Sequence, residues 1–166
     1  MLPLALALFA VPPVPPANPA IDAAGHRRAV VEAHRHRQPR LLTEADFLRM
    51  MAEPGTVVVD ARSRDKFDML HLRGAINLPF PDIDIPTLAR VLPDKTARIL
   101  IYCNNNFVSV GPAKLAMMTK SAVLSLNLST YTALHASGYR NVYELGPQLD
   151  PRTTKLPLAG TEAMRR

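Results

Sequence analysis

The chain has 166 residues, a length that suggests one domain with a modest tail. Hydrophobic residues make up 48% and charged residues 20%, so a packed core can form and global disorder is excluded. The formal charge is +6, and a single cysteine rules out an intrachain disulfide and any cysteine-rich zinc site. Much of the basic excess falls between His26 and Arg40 without interleaved aromatic residues. That pattern reads as a solvated basic linker over residues 25–41, and no nucleic-acid partner is expected. His26, His34 and His36 have no carboxylate cluster beside them, so no metal site is expected.

The run Leu2 to Val11 is almost wholly apolar and is followed by Pro12-Pro13-Val14-Pro15-Pro16. A bilayer needs about 20 apolar residues, so no stable membrane insertion is expected. The run is similar to the apolar core of a secretory signal peptide with a proline-rich end. Residues 1–24 are therefore expected to be a leader, and the protein to be exported, with a periplasmic location. A cytoplasmic location is the alternative, because no lysine or arginine precedes the run.

The domain begins with Thr43-Glu44-Ala45-Asp46, which has the shape of a capping box with aspartate in place of glutamate. Phe47, Leu48 and Met51 follow at helical spacing, and Pro54-Gly55 stops the helix. Thr56-Val57-Val58-Val59 ends in Asp60 and predicts a buried parallel strand. A short helix fits the polar stretch from Arg62 to Asp68, and a brief strand fits Gly74 to Pro79. Ile85 to Leu92 predicts a helix with Pro86 in its first turn. Arg98-Ile99-Leu100-Ile101-Tyr102 is a strand that delivers Cys103 at its carboxyl end. Leu126 to Ser137 predicts a helix closed by Gly138, and Asn141 to Leu145 a last strand. The alternation implies an α/β fold: a central parallel sheet with helices on both faces. Ligands in such sheets bind beyond the carboxyl ends of the strands, where Cys103 lies.

These motifs, in this order, resemble a rhodanese-like (sulfurtransferase) domain over residues 42–146. Asp60-Ala61-Arg62-Ser63-Arg64-Asp65-Lys66-Phe67 resembles the family's aspartate–x–arginine element and the helix after it. His71-Leu72-Arg73-Gly74-Ala75-Ile76-Asn77 resembles its histidine–x–x–glycine–alanine–x–asparagine signature without a gap. Ile99-Leu100-Ile101-Tyr102-Cys103 resembles the strand that carries the catalytic cysteine, and Gly138 to Leu145 the closing glycine and final strand. The resemblance implies that Cys103 attacks the outer sulfur of a donor, becomes a persulfide and passes that sulfur to a thiol or other nucleophile. Asn104, Asn105, Asn106, Phe107 and Val108 would form the donor cradle. Asp60, Arg62, His71 and Gly74 would support the site as scaffold, and no cofactor is implied.

Two departures from the family bear on the chemistry. The loop after Cys103 carries three asparagines and no basic residue, so thiosulfate should be a poor donor and a small sulfur-donor anion or polysulfide is expected only through neutral hydrogen bonds. The sixth residue after Cys103 is Ser109 rather than arginine, which disfavours phosphatase chemistry. The stretch from Cys103 to Gly138 is also long. Its surplus, residues 109–125, could form a lid, with Lys114 or Lys120 returning positive charge to the site. A rival reading is a non-catalytic module that binds a protein partner through that segment or senses oxidation. Residues 147–166 are expected to pack across the domain and then fray.

Overall fold

The computed structural model describes residues 18–163; the expected leader run Leu2–Val11 and the last three residues lie outside them. An N-terminal helix, α1 (Ala23–Arg37), is followed by β1 (Leu41–Leu42), α2 (Glu44–Met51), β2 (Thr56–Asp60), α3 (Arg64–Met69), β3 (His71–Leu72), β4 (Ile76–Asn77), α4 (Ile85–Val91), β5 (Arg98–Tyr102) and α5 (Leu126–Ala136), with short 3-10 turns among them. The chain closes with β6 (Val142–Leu145) and β7 (Leu158–Ala159). The main sheet is parallel throughout, in the order β1-β6-β5-β2-β4. Its centre is the β2–β5 pair, which aligns Thr56 with Arg98 and Asp60 with Tyr102.

Strand side chains alternate between the two faces. Val58, Leu100, Tyr102 and Leu145 join Phe47 and Met50 of α2 in one core. Val59, Ile99, Ile101 and Val142 join Ala33 of α1, Leu88 of α4 and Leu134 of α5 in the other. The expected α/β sandwich is therefore present, with helices on both faces.

The caps follow the sequence. Thr43 Oγ1 accepts from the Asp46 amide at 3.1 Å and donates to the Asp46 carboxylate at 2.7 Å, starting α2. Asp84 caps α4, whose first turn tolerates Pro86. At the end of α5, Tyr139 N–H reaches the Leu134 carbonyl and Gly138 N–H the His135 carbonyl. That closure needs the left-handed φ of 93° that Gly138 adopts.

The linker expectation is corrected: most of residues 25–41 form α1. Asp22 caps it by accepting from the Gly25 amide at 2.7 Å. His34, Arg35, His36 and Arg37 fall in its last turn, where cations suit the helix dipole. Beneath the basic surface, Ala29, Val30 and Ala33 face α5 at helical spacing. The C-terminal extension adds a pairing the sequence did not announce. β7 runs antiparallel to β3, with His71 opposite Ala159 and Leu72 opposite Leu158.

The α1–α5 contact contains two histidines. The Tyr131 hydroxyl donates to the Val142 carbonyl at 3.0 Å and accepts from His36 Nδ1 at 2.8 Å. The His36 ring lies 4.9 Å from that of His135. Burial, with Arg40, His135 and Arg140, holds His36 below its usual value; burial, with Arg140 and Arg40 outweighing Glu32, does the same for His135. Burial also pushes Tyr131 up to about 12. Both histidines thus bind protons more readily unfolded than folded. Their contribution is complete above the ordinary value of 6.5 and is lost as pH falls below it. The thermal midpoint should therefore drop between about pH 7.5 and about pH 5.5. A His36→Gln/His135→Gln variant should show a shallower drop, and an identical slope in the two proteins would contradict this account.

Candidate active site

β5 carries five residues through the middle of the sheet and releases the chain at Cys103, which is fully buried. Asn104–Asn106 then make one 3-10 turn. This turn brings the Asn106 amide onto the Cys103 sulfur, while the Cys103 amide donates to Asn106 Oδ1 at 2.9 Å. The Ser125 hydroxyl stands 3.6 Å from Cys103 Sγ. The sulfur therefore has two polar neighbours within the protein.

The three asparagines each hold a different part of the wall. Asn104 Nδ2 donates to the Met118 carbonyl. Asn105 exchanges two hydrogen bonds of 3.0 Å with the backbone of Lys120. Asn106 Nδ2 donates to the Leu145 carbonyl at 2.7 Å, fixing the loop to the end of β6. Segment 109–125 is thereby fastened over the cysteine loop as a lid, with Ala113, Ala116 and Met117 buried beneath it. Ser109 serves this lid by donating to the Met117 carbonyl at 2.6 Å. Lys120 lies at the adjoining cavity, whereas Lys114 is exposed on a separate turn.

The expected five-residue cradle is divided by this geometry. The amides of Asn106 and Phe107 bond back to the carbonyls of Cys103 and Asn104, and that of Val108 bonds to Leu149. Phe107 is fully buried, its ring edge-on to Tyr102. Phe107 and Val108 belong to the scaffold, and Asn104 and Asn105 to the lid contacts.

Below the loop lies a buried ion pair. Asp60 accepts from Arg62 Nη2 at 2.6 Å, from its Nε at 2.9 Å, from its amide at 3.0 Å and from the Tyr102 hydroxyl at 2.5 Å. Arg62 also donates to the carbonyls of Leu70 (2.6 Å) and Ala116 (3.0 Å), which anchors the lid. Burial opposes the guanidinium charge, but the bonds and charge of Asp60 outweigh it and raise Arg62 above its usual value. Burial, then Asp60, pushes the Tyr102 phenol well up, so it stays a donor. His71 is on β3, where Nδ1 donates to the Phe67 carbonyl at 2.7 Å and the ring stacks on Phe67 at 3.8 Å. Gly74 turns the chain into β4 with a φ of 83°.

A second buried pair was missed in the sequence. Arg37, the last residue of α1, grips both oxygens of Glu144 in β6, with Nη2 at 2.6 Å from Oε1. Asn127 Nδ2 joins Glu144 (3.0 Å) to Asn106 Oδ1 (2.9 Å), the oxygen that holds the Cys103 amide. A continuous chain of polar contacts thus runs from α1 to the cysteine loop. The signal was Glu144 itself: a carboxylate inside a buried strand requires a cation. The Glu144 hydrogen bonds raise Arg37 above its ordinary value, and the cysteine lies within its electrostatic reach.

One thiol is thus enclosed at the carboxyl end of the central strand of an α/β domain. The rhodanese-like domain family model matches residues 43–146, and the chain belongs to that family. Among solved structures, the BH2092 protein of Bacillus halodurans superposes with a TM-score of 0.56 at 22% identity, covering 80% of this chain and 87% of that one. The rhodanese-like domain of Anabaena sp. Alr3790 gives a TM-score of 0.53 at 20% identity, covering 76% and 83%. Two curated relatives carry the name tRNA uridine(34) hydroxylase. The one from Acholeplasma laidlawii is 37% identical over 67 residues, and the one from Bacillus velezensis 34% over 82. These matches cover 39% and 44% of this chain, and the chain spans about a fifth of those relatives, 21% and 22%.

The Arg37–Glu144 pair can be tested by stability. Arg37→Met leaves a carboxylate buried without its cation and should cost about 3–5 kcal/mol in denaturant unfolding. Adding Glu144→Gln should recover most of that loss. A cost under about 1 kcal/mol for the single variant would mean that solvent relaxes the pair.

Proposed function

We propose that the protein is a sulfurtransferase in which Cys103 carries sulfane sulfur as a persulfide. The observation that supports this reading best is the placement of Cys103 at the end of β5, its sulfur met by the Asn106 amide and the Ser125 hydroxyl. The Cys103 thiolate attacks the outer sulfur of the donor. A new S–S bond forms, the donor's own bond to that sulfur breaks, and its electron pair leaves with the donor fragment. With thiosulfate the leaving group is sulfite; with a polysulfide it is the shortened polysulfide. A thiol or other nucleophile, free or on a protein, then takes the outer sulfur and returns the thiolate. No external oxidant is required. The donor loop carries no cation, so the thiosulfate dianion should be held only weakly.

A second reading rests on one observation. Cys103 is fully enclosed and the lid is hydrogen-bonded shut, with Leu115, Val123 and Leu124 exposed on it. Those features suit a module that binds a partner through the lid, with Cys103 structural or redox-sensing.

Intact-mass measurement separates the two. After polysulfide treatment the wild type should gain about 32 Da, one sulfur atom, in a form that a reductant removes. Thiosulfate should give a smaller yield, and Cys103→Ser none. A folded protein whose thiol alkylates yet gains no sulfur from either donor would transfer the case to the binding module.

A further inference from the structure

Beside the cysteine loop is a cavity of about 480 Å³, within the range of small-molecule sites. It opens where Ala61 leaves β2 and Asn104 leaves β5, and the lid from Ala116 to Lys120 forms its outer side. Pro79, Phe80, Met118 and Leu126 give it apolar walls. Its charged lining residues are all cationic: Arg62, already neutralised by Asp60, and Lys66 and Lys120. Among the described residues no carboxylate lines it.

Asn104 supplies an independent mark. The residue is 5% exposed and lines the cavity; its Nδ2 is engaged with Met118, and its Oδ1 is buried without a partner. Most buried acceptors in folded proteins are paired, so an orphan in a cavity wall points to a donor on a ligand. Cys103 and Ser125 are not in its lining, but each is followed by a residue that is. Asn104 follows Cys103 directly, and Leu126 follows Ser125, whose hydroxyl touches Sγ.

We propose that this cavity is the acceptor site, and that it takes a small organic anion with an apolar body and an N–H group. The inference rests on the sulfur-transfer reading and specifies its acceptor. The body packs against Phe80 and Leu126, the anion meets Lys66 and Lys120, and the N–H donates to Asn104 Oδ1 once the Met118 end of the lid is displaced. A bare inorganic nucleophile uses neither the apolar wall nor the amide oxygen; a heteroaromatic thiol bearing a carboxylate or sulfonate uses all three. Its thiolate attacks the outer persulfide sulfur, a bond forms to the acceptor, the bond to Cys103 Sγ breaks, and the electron pair remains on Sγ.

The probe is 2-mercaptobenzimidazole-5-sulfonate, compared with 2-mercaptoethanesulfonate, which has the thiol and the charge but neither ring nor N–H. Calorimetry on the full Cys103→Ser chain measures binding independently of sulfur chemistry. The ring compound should bind at one site per chain, at least about tenfold tighter than its comparison. Asn104→Leu and Met118→Trp should each weaken it by a similar factor. Met118 is 56% exposed, so the tryptophan fills the cavity without disturbing a buried side-chain bond. Equal affinity for the two compounds, or unchanged binding in folded Met118→Trp, would overturn the proposal. Single-turnover transfer from persulfidated wild type should likewise favour the ring compound. Binding as expected with no persulfide on Cys103 would keep the ligand class and sink sulfur transfer. Persulfide formation without probe binding would sink the acceptor assignment alone.

Discussion

The buried Asp60–Arg62 pair is the constraint on which the rest of the site depends. Removing two charges from water is costly, and the cost is offset only when nearly every polar atom finds a partner. Here the partners come from separate parts of the chain: the Tyr102 hydroxyl on β5, the Leu70 carbonyl before β3 and the Ala116 carbonyl on the lid. Asn77 closes the ring by donating to the carbonyls of Asp60 and Arg62. Satisfying one ion pair thus fixes the ends of two central strands, the turn into β3 and the underside of the lid.

Above it, neutral and charged contacts divide the labour. The cysteine loop has no cation of its own, yet it is not electrically isolated. Arg37 neutralises Glu144, which would otherwise leave an uncompensated negative charge within the sheet near Cys103. Asn127 and Asn106 transmit that arrangement to the Cys103 amide by hydrogen bonds alone. The three asparagines trade donor affinity for position: their amides hold the lid and β6 in place.

What was legible in the sequence was local. Thr56–Asp60 and Arg98–Tyr102 announce themselves because strands buried on both faces are continuous apolar runs. Thr43, Pro86 and Gly138 mark helix ends because capping chemistry acts over three or four residues. The position of Cys103 followed from its strand, which ends at Tyr102. α1 was hidden because its basic surface dominates its composition, while its packing stripe is only small or modest residues. β3 and β7 escaped notice because two-residue strands have no period; they exist through pairing between distant segments. Arg37 and Glu144 are 107 positions apart, and no local pattern couples them.

The C-terminal extension carries a consequence for how the protein is made. The cysteine loop is completed by Leu149, whose amide donates to the Asn106 carbonyl and whose carbonyl accepts from Val108. During synthesis, Cys103 leaves the ribosome well before that partner, and before Glu144 can meet the waiting Arg37. Non-local contacts form late. The nascent chain therefore presents an unshielded thiol to its surroundings until nearly the last turn is translated. Premature termination between Cys103 and Leu149 would release a chain whose thiol has a strand to stand on but no finished enclosure.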